Sequence, residues 1–229
     1  MSKVLSTILK WLFIITVPFL LISTSIAFWF NFSPLYNYGY QRFGVENVTG
    51  IDKAELARAT DEIIDYFNAH DDKDIDIHVI KNNKKIPLFN EIEIYHMRDV
   101  KGLVQLDYTI MRILFILDVL LLLILLARNQ HKVVSQALIG GSIFTFGFLV
   151  VLGLTMAIDF YDFFMLFHSV AFDNDNWLLD PPTDYLIMMY PEGFWVMALL
   201  AVLVGIFFMV SILLVTGILL RKKVNAAQN

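Results

Sequence analysis

Four long apolar stretches dominate the chain, separated by segments in which charged and apolar residues are interleaved. They cover approximately Leu5–Phe30, Leu106–Ala127, Val133–Ile158 and Trp195–Leu220, and each is long enough for the about 20 helical residues that cross a hydrocarbon core. The pattern therefore predicts a mainly α membrane protein with four transmembrane helices. In the connection after the first stretch, Thr49 or Asp52 can cap a helix reaching about Asn68, with Ile51, Leu56, Ile63, Ile64 and Phe67 on its apolar side. Ile75, Ile77 and Val79 then alternate with polar residues, Asn82-Asn83 reads as a turn, and Ile86 to Phe89 resumes an extended pattern. A small hairpin follows from this, and with the helix it makes a small α+β cap. From Glu91 the pattern fits strand or helix, but Asp99, Val100 and Leu103 favour a helix that leads into the second span.

Residues 159–168 place aromatic side chains at helical spacing in a segment too short and too charged for another crossing, which suits a helix lying in the membrane interface. Asp180-Pro181-Pro182-Thr183-Asp184 forces a turn, and Pro191 and Glu192 match the first turn of the last helix. Within the spans, Pro18 predicts a kink, and Gly140, Gly141, Gly147 and Gly153 predict close helix packing.

Orientation follows from the basic residues beside the spans, because Lys and Arg in short connections are retained in the cytoplasm. Lys3 and Lys10 flank the first span, Arg128 and Lys132 the turn between the second and third, and Arg221-Lys222-Lys223 the end of the fourth. Both termini are expected in the cytoplasm and both long connections on the outer face of a cell membrane. The chain divides accordingly into a first transmembrane helix (1–30), an extracytoplasmic cap (31–105), transmembrane helices two and three (106–158), an extracytoplasmic interfacial segment (159–194), and a fourth helix with a cytoplasmic tail (195–229). Ser25-Ile26-Ala27 resembles a signal-peptide cleavage site, but the apolar run continues through Phe28-Trp29-Phe30, which suits an anchored first helix better.

Composition sharpens this picture. Apolar residues make up 58% of the chain, and the mean hydropathy is +0.65, beyond an ordinary soluble domain. Cysteine is absent, which excludes a disulfide, a thiolate nucleophile and a cysteine metal site. The net charge of −5 argues against nucleic-acid binding.

Two of the five histidines border spans inside carboxylate-containing stretches. His96 lies in Asn90-Glu91-Ile92-Glu93-Ile94-Tyr95-His96-Met97-Arg98-Asp99, and His168 opens a stretch containing Asp173, Asp175, Trp177, Asp180 and Asp184. Imidazoles titrate near neutrality and pass protons or bind metals, so such a pair suggests chemistry on a membrane substrate. His70 and His78 fall on solvated parts of the cap and His131 in the cytoplasmic turn. On a helix Asp99 would lie one turn ahead of His96 and Glu93 one turn behind, close enough to orient the ring, although from spacing alone a simple surface hydrogen bond is the better account of such a carboxylate. Arg112 can snorkel or meet a lipid headgroup, whereas Asp118 lies deeper and fits a structural or a functional role. Trp177, Tyr185 and Trp195 each fit an ordinary interfacial anchor. No glycine-rich phosphate loop, Gly-x-Ser-x-Gly elbow or His-Glu-x-x-His motif occurs.

Phe89 through Lys101, together with Phe167-His168, Trp177-Leu178-Leu179-Asp180-Pro181 and Pro191-Glu192-Gly193-Phe194, resembles the lipoprotein intramolecular transacylase family of low-GC Gram-positive bacteria. The resemblance spans nearly the whole chain. It implies transfer of the sn-2 acyl chain of a diacylglyceryl-modified lipoprotein onto the α-amine of its N-terminal cysteine, giving a lyso-form lipoprotein. It places the two essential histidines at His96 and His168. Glu91, Glu93, Asp99, Arg112, Trp177, Asp180, Asp184 and Glu192 are the candidate substrate-binding or supporting residues. No cofactor or metal is expected; the partners are the lipoprotein and membrane lipids, and the expected state is a monomer. His168 is assigned as base and His96 as acid or oxyanion donor, with the reverse order open.

Two other readings compete. One is a non-enzymatic membrane sensor or partner-binding protein with an acidic outer cap, and the other is metal-dependent lipid hydrolysis with His96, His168, Glu93 and Asp184 as ligands.

Overall fold

In the computed structural model, which describes residues 2–227, four helices are long and apolar enough to cross a membrane. They are α1 (Lys3–Phe30), α5 (Glu91–Ala127), α6 (His131–Ile158) and α9 (Glu192–Ala226), and the chain is an integral, multi-pass membrane protein. Between them lie α2 (Ser33–Phe43), α3 (Val45–Thr49), α4 (Lys53–Asn68), β1 (His78–Lys81), β2 (Lys84–Pro87), α7 (Phe160–Ala171) and α8 (Tyr185–Met189). The chain divides into two compact units: residues 1–26, 108–158 and 202–229, and residues 27–107 and 159–201.

The first unit is a helix bundle. Phe13, Val17 and Leu21 of α1 pack with Leu121 and Leu125 of α5, with Val134, Ala137 and Leu138 of α6, and with Ile206 and Val210 of α9. Its exposed side chains, such as Ile113, Phe115, Val151 and Phe207, are large and apolar, as lipid-facing positions require. Gly140 and Gly141 permit close approach to α1: an added Cβ would meet Ile14 Cδ1 at 2.8 Å and Val17 Cγ1 at 2.7 Å. Gly147 and Gly153, expected to do the same, have no such neighbour within 4 Å. α1 runs through Pro18 as one continuous helix. The deep Asp118 is buried and accepts a hydrogen bond from Thr16 Oγ1 at 2.5 Å, and Ser25 Oγ and Ser135 Oγ donate to the carbonyls of Val202 and Gly217. Such bonds give polar groups in the bundle a partner where water is scarce.

The second unit surrounds a core that includes Tyr40, Ile51, Leu56, Ile63, Phe67, Ile75, Val79, Leu88 and Met189. The expected cap of α4 is present: Asp52 Oδ1 accepts from Ala54 N at 2.9 Å. The hairpin is also present, with Asn82 and Asn83 both at positive φ (52° and 58°), the conformation of a tight turn that matches strand twist. Its first strand is shorter than the alternation suggested. Ile75 and Ile77 are buried as the period predicts, yet the ladder begins at His78, opposite Pro87. The helices α2, α3 and α8 were not anticipated. Pro34 near the start of α2 and left-handed Gly44 and Gly50 closing α2 and α3 are their local signals.

α5 has 37 residues and is about 55 Å long, well beyond the about 30 Å of a hydrocarbon core. The apolar residues from Leu106 onward are by themselves long enough for a crossing, and residues 91–105 belong to the second unit.

Candidate active site

The ambiguity at Glu91 is resolved by a reciprocal cap. Asn90 Oδ1 accepts from Glu93 N at 3.0 Å, while Glu93 Oε2 accepts from Asn90 N at 2.8 Å, so two otherwise orphaned donors of the first turn are satisfied. The helix thus begins early enough that His96 is already in its second turn. On the other segment, Asp159 accepts from Asp162 N at 3.0 Å and starts α7, whose last turn carries His168.

These two helices bring the imidazoles together. The ring centroids of His96 and His168 are 6.0 Å apart at an interplanar angle of 37°, and each residue is only 7% exposed. Phe172 lies against both, at 5.1 Å from His96 and 5.5 Å from His168. His168 is further flanked by the Phe164 ring at 4.0 Å and the Trp177 ring at 5.1 Å. Trp177, which fitted an interfacial anchor in the sequence, is therefore a wall of this site.

Hydrogen bonding distinguishes the two rings. His168 Nδ1 lies 2.8 Å from the carbonyl oxygen of Phe164, one turn earlier. A carbonyl only accepts, so Nδ1 carries the proton, and in the neutral ring Nε2 keeps its lone pair. His96 Nδ1 is buried and has no hydrogen-bond partner among the described residues. Burial, then the neighbouring His168, pushes His96 down to about 4, with Asp99 opposing. Burial also holds His168 below its ordinary value, opposed by the bond to Phe164. Both rings are therefore mainly neutral near pH 7.

The carboxylates divide into distinct groups. Asp99 accepts from Asn174 Nδ2 at 2.9 Å and makes no hydrogen bond to His96, although its charge acts on that ring. Glu93, 1% exposed, uses Oε1 for Leu186 N at 2.6 Å and Oε2 for Asn90 N, so it frames the site and does not orient His96. Asp184 accepts from Asp180 N, Asn90 Nδ2 and Thr183 Oγ1 at 2.7 to 2.9 Å. Asn90 thereby joins the start of α5 to the turn before α8. Glu91 and Glu192 are exposed at helix starts, and Asp180 is exposed in its turn. Arg112 belongs to the other unit, where it is exposed and donates Nε to the carbonyl of Tyr108 at 3.0 Å. Tyr185 accepts from Lys81 Nζ at 2.9 Å. His70 and His131 are exposed, and His78 is half-buried beside Asp76.

Among the described residues no cluster of three or more His, Asp or Glu could hold a metal ion. Glu93 and Asp184 are turned to backbone and side-chain donors of their own frame, which counts against a ligand set with the two histidines. Sequence reasoning missed Phe164, Phe172, Asn174 and Asn90. Of these only Asn90 had a readable signal, its spacing of three to Glu93.

The family model described as lipoprotein intramolecular transacylase Lit matches residues 11–195. The chain belongs to the lipoprotein intramolecular transacylase family. In fold it is similar to the membrane-integral lipoprotein intramolecular transacylase Lit from Bacillus cereus, with a TM-score of 0.86 and 24% identity over 98% of this chain and 100% of that one. A variant of the Bacillus cereus protein in which one histidine is replaced by arginine superposes with a TM-score of 0.81 at 24% identity, over 97% of this chain and 95% of the other. An uncharacterised protein of Aquifex aeolicus (strain VF5) is 32% identical over 146 residues, and the match spans 62% of each chain, less than two thirds of that relative.

Proposed function

We propose that this member of the transacylase family moves the sn-2 acyl chain of a diacylglyceryl lipoprotein onto the α-amine of the lipoprotein's N-terminal cysteine, at the outer face of a bacterial cell membrane. The observation that carries the reading is the pair of buried, neutral imidazoles 6.0 Å apart, one of them with its tautomer fixed. Ester-to-amide transfer is downhill and needs no nucleotide. The substrate brings both nucleophile and ester, and an intramolecular arrangement of that kind reaches effective molarities of ~10⁵ M or more.

The tautomer supports His168 as the base. Its Nε2 takes a proton from the α-amine as nitrogen attacks the ester carbonyl, and the Nδ1–H···O=C bond to Phe164 holds the charged ring in place. The same Nε2 then returns that proton to the glyceryl oxygen as the C–O bond breaks, so one N–C bond forms, one C–O bond breaks, and the proton moves from nitrogen to oxygen. His96, pushed down to about 4, is poorly suited to delivering a full proton at neutral pH. As a neutral imidazole it can still donate an N–H hydrogen bond to the developing oxyanion. Of its two earlier assignments, oxyanion donor is the better supported. The basic residues flanking the spans support cytoplasmic termini, and a single chain supplies both histidines, as a monomer requires.

The test is expression of the chain in cells that otherwise make diacylglyceryl lipoproteins, followed by mass and fragmentation of the N-terminal lipopeptide. An acyl chain on the α-amine with a lyso-glyceryl group is expected. An unaltered diacylglyceryl terminus in the presence of folded, membrane-inserted protein rejects the reading and favours the sensor alternative.

A further inference from the structure

The segment after α7 touches the site at three points. Phe172 packs on both imidazoles, Trp177 lies on His168, and between them Asn174 donates Nδ2 to Asp99 Oδ2 on α5 at 2.9 Å. Asn174 is held at its other end as well, because its Oδ1 accepts from Asn176 N at 3.0 Å, the short loop that Asn side chains make with backbone two residues on. Both ends of the amide are thus used, one fixing the local turn and one reaching across to the helix that carries His96. Asp99 is one helical turn beyond His96 and on the same side of α5. A hydrogen bond to a carboxylate is among the stronger kinds, and this one crosses between the two histidine-bearing segments. Asn174 itself is exposed, so it is not part of the buried core.

We propose that Asn174 is a positioning residue of this site: its bond to Asp99 is the tether that keeps the Phe172–Trp177 segment closed over the two imidazoles. Without the tether Phe172 and Trp177 can withdraw, water reaches His96, and the rings lose the dry setting in which their hydrogen bonds act most strongly on a reacting group. The activity arm of this inference rests on the transacylase reading; its structural arm does not.

The experiment compares wild type, Asn174→Ala, Asp99→Asn and the exchanged pair Asp99→Asn/Asn174→Asp in detergent micelles. The exchange places the carboxylate on the loop and the amide on the helix, so the tether reforms in the opposite sense. Acyl transfer and the NMR titration of the His96 ring are both measured. In Asn174→Ala, transfer is expected to fall about ten-fold through turnover with KM little changed, and His96 to titrate nearer the ordinary value of about 6.5 as water enters. The exchanged pair is expected to recover most of the transfer and to bring the His96 titration below that of Asn174→Ala to that of Asp99→Asn, the reference in which the Asp99 charge that raises His96 is also missing. Asn174→Ala with unchanged turnover and unchanged titration overturns the proposal, as does an exchanged pair no better than Asn174→Ala alone. A wild-type chain that moves no acyl group defeats the transacylase reading instead, and the titration then decides the tether by itself.

Discussion

His168 Nδ1–H donates a hydrogen bond to the carbonyl of Phe164, 2.8 Å away and one turn back on the same helix. The bond selects the tautomer, so Nε2 is the nitrogen able to accept a proton, and it leaves the ring supported when it becomes charged. In His96 the buried Nδ1 has no such partner, and that ring is pushed down to about 4. Two imidazoles of similar burial therefore have different chemical capacities, which leads to separate expectations for each.

Replacing either ring should remove most of the activity. His168→Gln should lower acyl transfer by the about 10²–10⁴-fold that a general acid–base group contributes, and His96→Gln by the about 10²–10³-fold that one oxyanion donor contributes, each leaving the folded fraction near wild type. His70→Gln, His78→Gln and His131→Gln should transfer acyl chains normally. Because the two rings serve one step, the double variant should be little worse than the more damaged single one. Near-normal transfer by folded His168→Gln protein, read by lipopeptide mass spectrometry, would end its assignment as base.

The pH dependence of transfer should follow from His168. Burial holds its value below the ordinary about 6.5, so the base stays unprotonated through neutral pH, and its acid limb should fall below that value. The substrate amine, near 7.7 when free, adds a second rise above neutrality. Single-turnover transfer measured between pH 5 and about pH 9 should thus keep rising past pH 7. A rate that peaks below pH 6 and declines above it would contradict a neutral histidine base.

Stability should show the opposite face of the same burial. His96 takes up a proton near about 6.5 when unfolded but only near about 4 when folded. As pH falls through that window the unfolded chain binds more protons, so stability should decline between about 6.5 and about 4 and the loss should level off below. Thermal unfolding in micelles checks this, and His96→Gln should flatten part of the slope. A wild-type slope unchanged by that substitution would show that His96 is not buried in the neutral form.

Glu93→Gln should be more harmful than its similar shape suggests. Both carboxylate oxygens accept from backbone donors, Asn90 N and Leu186 N, so the amide would aim an N–H group at one of them. A loss of about 2–4 kcal/mol is expected in a chemical unfolding measurement, with looser α8 and lower acyl transfer. Glu91→Gln, at an exposed position two residues away, should change little.

Local pattern determined the elements whose causes are local. Four apolar runs of sufficient length could only be satisfied as membrane helices, because backbone groups in hydrocarbon must be bonded within their own segment. Asp52 capped α4, and Asn82-Asn83 turned the hairpin, by bonds and dihedrals that involve only neighbours. The two histidines were also singled out in the sequence, by their place beside spans and by the family resemblance. What tertiary structure decided depends on contacts between distant segments. Asn90 caps α5 while also binding Asp184, Glu93 serves Leu186 across the chain, and Asn174 reaches Asp99. Spacing along one helix put Glu93 and Asp99 near His96, but their carboxylates turned to other donors once those donors were folded into reach. The 6.0 Å approach of the rings and the proton on Nδ1 of His168 likewise exist only when α5 and α7 each start at their capping residue and fold into the same unit. Periodicity reports which face of an element is apolar; only the assembled chain sets which polar groups meet.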